Sequence, residues 1–580
     1  MRLERHKNRF DRHRMLFVVV IVAAIAIRAV WLIQLSGSRL ASELSIDSQF
    51  YWDLAAGVLS GKGIPAGGLT FNPLYPLFLV AVLGVFGKTL LAVRIIQSVL
   101  GLATLALIYT AGRMLGDDSR MKEISGWNLG LTAMAIAAVY PQFFLYEGML
   151  LGSTLEIFLL TASFTLALAL DRKLSGTGTL RIAFINIPVW TASFILGLIC
   201  GTGALGRPNL FLLLVAGIPV WIILRNRRES KWTAPLIGFA AGAALLLLPP
   251  TVYNFRETGK FVPVTTHGGI NFYIGNRPGT EGVYSPPEGM RGAMRGLIED
   301  SRVLAEKETG HGMTDGEASD YYMEKALHGI AGDPVGWIAL LARKVLLFWN
   351  KTEVHDMPEV LFFEDSVPIF RFPFLPYSII ASLGIIGLIV LIQGRTDISI
   401  VCLFLGAAHL SVMLFYVNTR YRLPVVPVVI ILAALLLNRA AGEISRRRYG
   451  TVIYMAAAVA AAFFLISNRS LVEANRGSVY TYLGTYYMNA GEQDKAAEAF
   501  ARAYRIDPDR DTSMINYART LMMRGQYEQA ARIFARAYAM NPRYPRLAIE
   551  YAFTLQKLGQ YDEASRLALD AFSSGNPEDK

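Results

Sequence analysis

The chain carries carboxylates and arginines in settings where phosphate and proton chemistry could be done. Asp47 lies in "IDSQFYWD", directly after the first hydrophobic segment. Charge is costly at a membrane, so an acid there needs a task. If the stretch is helical, Asp47, Tyr51 and Ala55 share a face and Asp53 points elsewhere. A carboxylate so placed could act as a general base, and it could equally cap the helix N-terminus. Glu147, in "YPQFFLYEGMLLGSTLE", is a second acid between two apolar runs, open to a catalytic or an ordinary interfacial role. Glu156 sits deeper in the following run and must be neutral or paired. Arg207 in "GTGALGRPNLF" and Arg420 and Arg422 in "NTRYRLPVVP" stand at the edges of apolar runs. They could snorkel there, or clamp a phosphate, whose geometry a guanidinium matches with two hydrogen bonds. His267, in "VPVTTHGGINFYIGN", could bind a substrate or serve as a hydrogen-bonding group of a turn-rich segment.

The elements that must hold these residues are set by composition. Of 580 residues, 53% are hydrophobic and 17% charged, a balance that excludes an ordinary soluble enzyme. The net charge of +11 lies largely in short segments between apolar runs, as in membrane proteins, and does not imply a nucleic-acid partner. Cys200 and Cys402 sit in apolar runs without metal-ligand spacing and read as packing residues. Runs of roughly 20 apolar residues begin near Met15, Leu90, Trp127, Leu151, Ala183, Asn209, Ala234, Phe374, Ile398, Leu423 and Val452, giving about eleven spans. The run Leu74 to Gly87 is shorter and suits an interfacial helix. The basic tail of residues 1–14, then Arg172 and Lys173, then Arg225, Arg227, Arg228 and Lys231, then Arg446, Arg447 and Arg448 fall on one side. That side is expected to be cytoplasmic. Loops of about residues 36–89 and 254–371, and the C-terminus, then face outward.

After about Asn468 the chain becomes charged and repetitive. Gly491, Gly525 and Gly559, and Ala496, Ala530 and Ala564, keep one period, with Tyr504, Tyr538 and Phe572 in phase, Pro508 and Pro542 closing two units, and a one-residue slip before Pro577 in the third. The cores "GEQDKAAEAFARAYRIDP" and "GQYEQAARIFARAYAMNP" resemble the tetratricopeptide repeat, so residues 476–577 are expected to form an α-solenoid. It would display a protein-binding surface or cap the membrane part.

Five pieces in order, "IDSQFYWDLA", "NPLYPLFLVAVLGVFG", "RPN", "GGINFYIGN" and "RYRLPVVP", make residues 15–468 resemble the GT-C membrane glycosyltransferases. The resemblance is to the branch of protein O-mannosyltransferases and the aminoarabinose transferase of lipid A. It implies an all-α polytopic fold in a bacterial inner membrane, a polyprenyl-phosphate-sugar donor, and a glycan, lipid or protein acceptor on the outer face. By resemblance, Asp47 is the base that deprotonates the acceptor hydroxyl for inverting attack. Glu147 would be a second acid, Arg207, Arg420 and Arg422 would hold the phosphate, and Tyr51 and His267 would shape the substrate site. Two departures stand out. The acid of a "TETL"-like stretch is replaced by Ser153 in "GSTL", and Ser48 follows Asp47 where relatives often carry an acidic pair. No cofactor is required, and the resemblance leaves room for a divalent cation near the acids. An envelope oligosaccharide polymerase or ligase, relying on arginines and a histidine, is the alternative in the same class. A non-enzymatic scaffold displaying the repeats is the alternative outside it.

Overall fold

A computed structural model describes residues 2–38, 41, 44, 46–63, 68–117, 125–174, 181–182, 185–226, 232–292, 294–355, 357–394, 398–467, 471, 476–540 and 545–574. Arg227, Arg228, Lys231, Pro542 and Pro577 lie outside the described residues, as does the side chain of Phe572. The chain divides into two compact units, one of Met1–Ser285, Ala293–Val354 and Pro368–Val472, the other of Pro286–Gly292, His355–Val367 and Glu473–Lys580.

The first unit is helical. It begins with α1 (Arg2–Ser36), α2 (Ile46–Leu59), α3 (Leu74–Phe86), α4 (Leu90–Gly116), α5 (Gly126–Ala138), α6 (Pro141–Gly148) and α7 (Ser153–Leu174). It continues with α8 (Val189–Gly206), α9 (Pro208–Asn226), α10 (Thr233–Thr258), α11 (Gly268–Asn276), α12 (Met294–Thr309), α13 (Asp315–Gly332) and α14 (Pro334–Trp349). After α15 (Pro358–Ser366), which belongs to the second unit, come α16 (Tyr377–Gln393), α17 (Ser399–Leu414), α18 (Thr419–Arg422), α19 (Val426–Ser445) and α20 (Tyr449–Ser467). Among the described residues, β structure is limited to the pair Arg181–Ile182 with Ile185–Asn186 and a parallel bridge of Val283 with Val417.

Among the described residues, eight helices are long and apolar enough to cross a membrane, and the pair α5 and α6, bent by 53°, would make a ninth. Helices stand at all eleven expected positions. However, α16 and α17 have only 17 and 16 residues, so the expected eleven is reached only by including them and the bent pair. The shortening of α17 has a local cause: Phe415 leaves helical geometry at φ −117° and ψ −112°. The short α3 keeps Leu77, Val85 and Phe86 more than half exposed, as an interfacial helix would.

Helix approach follows from small residues. A Cβ on Gly197 of α8 would lie 2.1 Å from the Phe239 carbonyl oxygen of α10, and one on Gly242 would lie 2.1 Å from that of Phe194. These glycines, four residues from Gly201 and Gly238 respectively, let the two backbones touch. In a bilayer, where apolar burial drives little association, that contact is a principal source of cohesion.

The second unit contains α21 (Arg476–Asn489), α22 (Gln493–Ile506), α23 (Asp511–Met523), α24 (Tyr527–Met540), α25 (Pro545–Lys557) and α26 (Tyr561–Ser574). These are three helical hairpins. Gly491, Gly525 and Gly559 make the three hairpin turns at φ between 74° and 79°, a left-handed conformation that favours glycine. Ala496 and Ala530 are fully buried, as are Phe534 and Leu547. Pro508 follows the end of α22 at Ile506, as a helix-terminating proline should.

Candidate active site

The site is assembled from helix ends. Residues 46–59 form the expected helix, with Asp47, Tyr51 and Ala55 buried on one face and Asp53 exposed. Asp47 lies inside the first turn of α2. Glu156 is in the first turn of α7. Arg207 is the single residue between α8 and α9, where Pro208 prevents a continuous helix.

The segment from Met413 to Arg422 carries the other half of the site and is held from behind. Lys344, fully buried on α14, donates to the carbonyls of Met413 (2.9 Å) and Phe415 (2.6 Å) and to Asn276 Oδ1 (3.0 Å). Asn276 Nδ2 donates to the Leu414 carbonyl at 2.8 Å. These bonds satisfy carbonyls that the end of α17 leaves without helical partners. Val417 N–H then donates to Gly282 O and Thr419 N–H to Val354 O, both at 2.8 Å. The Asn418 side chain caps α18 by accepting from Arg420 N–H at 3.0 Å.

Two ion pairs share one aromatic ring. Arg420 Nη1 donates to Asp47 Oδ2 at 3.0 Å. Arg207 donates to Glu156 Oε2 from Nε at 2.6 Å, and its Nη2 pairs with the same oxygen. The Tyr421 ring lies 4.2 Å from the Arg207 guanidinium carbon and 5.4 Å from that of Arg420, within cation–π range. The Tyr421 and Tyr416 hydroxyls are 3.1 Å apart, and Tyr416 reaches Asn271 Oδ1 at 3.4 Å. Burial, and then the Asp47 carboxylate, raise the pKa of the Tyr51 hydroxyl above its ordinary value. Tyr51 therefore stays a neutral donor at physiological pH. Chemically, the group offers a carboxylate for a proton and two guanidiniums for an anion.

The structure thus brings together Asp47, Tyr51, Arg207 and Arg420. It separates the other candidates. Arg422 was expected to bind substrate, but its side chain is 2% exposed and pairs with Glu353. It also donates to the Phe348 and Asn350 carbonyls, both at 3.2 Å, and lies 3.8 Å over the Tyr377 ring. It is a structural anchor, because its position on α18 turns it away from Arg420. Glu147, expected as a second acid of the site, is buried against Arg28 at 2.7 Å. Its carboxylate occupies the place where a Cβ on Gly101 would stand. His267 precedes α11 and is buried, with neither ring nitrogen hydrogen-bonded. Burial pushes its pKa down to about 4, so it is neutral at physiological pH. No described contact joins it to the Asp47 group.

Sequence reasoning leaves two residues out and one without its partner. Glu156 needs a partner by its position, and the structure supplies Arg207. Tyr421 was passed over although an aromatic ring between two arginines is a cation–π signal. Arg28 was overlooked although a charge within an apolar run demands a partner. Of the acids near the site, Asp47 and Glu156 each face an arginine. Among the described residues no three of His, Cys, Asp and Glu come together as a metal site.

Comparison with known proteins adds the following. No curated protein matches the chain. Among solved structures it is similar to the Archaeoglobus fulgidus oligosaccharyltransferase, crystallised with zinc and sulfate, at 13% identity and a TM-score of 0.43. That match covers 82% of this chain and 56% of the other, so the chain spans little more than half of it. It is also similar to ArnT from Cupriavidus metallidurans, solved with undecaprenyl phosphate, at 14% identity and a TM-score of 0.40, covering 96% of this chain and 77% of that one. Residues 473–572 match the family model described as the Cytochrome c-type biogenesis protein H TPR domain. With the hairpins and their glycine turns, that match makes the C-terminal region of this multi-pass membrane protein a tetratricopeptide-repeat domain.

Proposed function

We propose that the chain is a GT-C-like membrane glycosyltransferase that moves a sugar from a polyprenyl-phosphate carrier to an acceptor hydroxyl on the outer face of the membrane. One observation carries the reading: Arg207 and Arg420 share the Tyr421 ring, and Arg420 binds Asp47, which comes from a third part of the sequence. Asp47 takes the proton of the acceptor hydroxyl, whose oxygen attacks the anomeric carbon from the face opposite the phosphate. The bond from that carbon to the phosphate oxygen breaks, its electron pair stays on the phosphate, and the sugar is transferred with inversion. Arg420 and Arg207 stabilise the charge that develops on the leaving phosphate. A lipid-borne donor accounts for placing this chemistry at the ends of apolar helices. The steps use only the chain's own residues.

Mass spectrometry of envelope lipids, glycans and proteins, with and without the chain, tests this. The expected result is an added sugar mass that disappears with the chain and returns with the wild type but not with Asp47→Asn. Full restoration by Asp47→Asn at normal protein level would overturn the assignment of the base. A change in glycan chain length without an added single sugar would favour the polymerase or ligase reading.

A further inference from the structure

Lys344 is fully buried on α14, and the proposed chemistry makes no direct use of it. Its Nζ reaches three acceptors, the carbonyls of Met413 and Phe415 and Asn276 Oδ1, as many as an ammonium has protons. Among the described residues no carboxylate pairs with it. A buried charge held only by neutral acceptors is costly, so its place must serve something else. Asn276 belongs to the same grip. Its Nδ2 donates to the Leu414 carbonyl at 2.8 Å, and its Oδ1 also accepts from Trp337 Nε1 at 3.0 Å. Three successive carbonyls, 413 to 415, are thus held where α17 ends. The approach is close: a Cβ on Gly275 would lie 1.9 Å from the Phe415 carbonyl oxygen, and one on Gly282 would lie 2.9 Å from Lys344 Cγ.

The same helix holds the segment a second time. Arg422 donates to the carbonyls of Phe348 and Asn350, both at 3.2 Å. Lys344 and Phe348, four residues apart, lie on one face of α14. That face therefore fixes the chain at Phe415 and again at Arg422. Between the two points stand Tyr416, Arg420 and Tyr421. The Tyr416 and Tyr421 hydroxyls are 3.1 Å apart, and the Tyr421 ring lies beside the guanidiniums of Arg207 and Arg420. A shift of the Phe415 carbonyl would be passed along this short stretch to the ring that both arginines share.

We propose that Lys344 is a positioning residue of the transfer reaction: by fixing where the chain leaves α17, it sets Tyr421 and Arg420 where the donor phosphate binds. This rests on the glycosyltransferase reading and deepens it. Lys344 acts through the segment and touches no reacting group.

The test is Lys344→Met, which keeps the side chain's length and removes its donors, made in the full chain. Binding of undecaprenyl phosphate and hydrogen exchange of the amides of residues 413–422 are measured in lipid nanodiscs. Formation of the mass-shifted envelope product is measured in cells, per folded molecule. Exchange across the segment should quicken, binding should weaken about tenfold, and product should fall about 10²-fold. Gly101→Ala, which strains the fold at a different place, should leave all three unchanged. If Lys344→Met folds and keeps wild-type binding and product, whatever its exchange, the positioning role is overturned while the glycosyltransferase reading stands. Equal losses in Gly101→Ala would mark a general effect of stability and overturn it too. If Lys344→Met does not fold, Asn276→Ala, which leaves Lys344 its two carbonyls, is read in the same way with smaller expected losses. If neither folds, the cluster is structural and the positioning role is overturned. If wild type neither binds the lipid phosphate nor forms product, the glycosyltransferase reading falls and the positioning role with it.

Discussion

Arg420 and Arg422 stand two residues apart on the four-residue helix α18, and they live in different surroundings. The Arg420 side chain is 15% exposed and pairs with Asp47 at 3.0 Å. That of Arg422 is 2% exposed, bonded to two carbonyls and Glu353, and stacked on Tyr377. Residues two apart on a helix point to nearly opposite sides, so one short turn sends one arginine to the site and the other into the wall. The pair Arg28–Glu147 repeats the wall arrangement elsewhere in the same unit. Identical residue types therefore divide by burial and partner: Arg420 belongs to the candidate site, and Arg422 and Arg28 to the packed wall.

The comparison can be broken by substitution. The largest effect is expected at the working pair. Asp47→Asn should lower sugar transfer by about 10²–10⁴-fold and Arg420→Gln by about 10²–10³-fold. Both are measured as formation of the mass-shifted envelope product per folded molecule, with melting temperatures near wild type. Arg422→Gln should do the reverse. Leaving Glu353 without its partner should destabilise the membrane unit by about 3–5 kcal/mol, seen as early thermal unfolding in detergent. Equal loss of transfer in folded Arg420→Gln and Arg422→Gln protein would erase the distinction. Gly101→Ala presses a methyl group onto the Glu147 carboxylate and should cost about 1–3 kcal/mol. Transfer per folded molecule should be retained; its loss would return Glu147 to the site.

The smallest effect concerns His267, another walled group. Its pKa falls from an ordinary 6.5 to about 4 on folding. Between those values the unfolded chain holds the proton and the folded chain does not, so the contribution to stability is full above about pH 6.5 and declines as pH falls toward 4. Melting followed from pH 7 to pH 5 should show a shallower decline in His267→Asn than in wild type. An unchanged slope would remove His267 as a source of the pH dependence.

Much of this was legible in the sequence where the signal is local. The face of α2 follows from a spacing of four residues between Asp47, Tyr51 and Ala55. The hairpins follow from evenly placed glycines, alanines and prolines. Long-range pairing was not legible. Nothing near Arg422 distinguishes it from Arg420, because Glu353 arrives from 69 residues away. Glu147 looked like a site acid because its partner, Arg28, is 119 residues distant. The cost of an unpaired buried charge announced that Glu156 needed a partner, and only the fold could supply Arg207. The order of the apolar helices was legible, but their bounds were less so: the helix expected from near Ala183 begins at Val189, and α17 ends where Phe415 leaves helical geometry.

The glycine turns of the second unit have a consequence for how such a chain can change over time. Gly491, Gly525 and Gly559 turn at nearly the same φ, so each hairpin folds back in the same way and presents alike faces to its neighbours. A segment cut at equivalent positions in neighbouring hairpins can be duplicated or lost and still present matching surfaces at the seam. The reach of the repeat array is thus adjustable in whole modules. The membrane unit has no such freedom, since its site draws on α2, α7, the junction of α8 with α9, and α18 together. The repeat part of the gene can lengthen by copying; the membrane part can change only residue by residue.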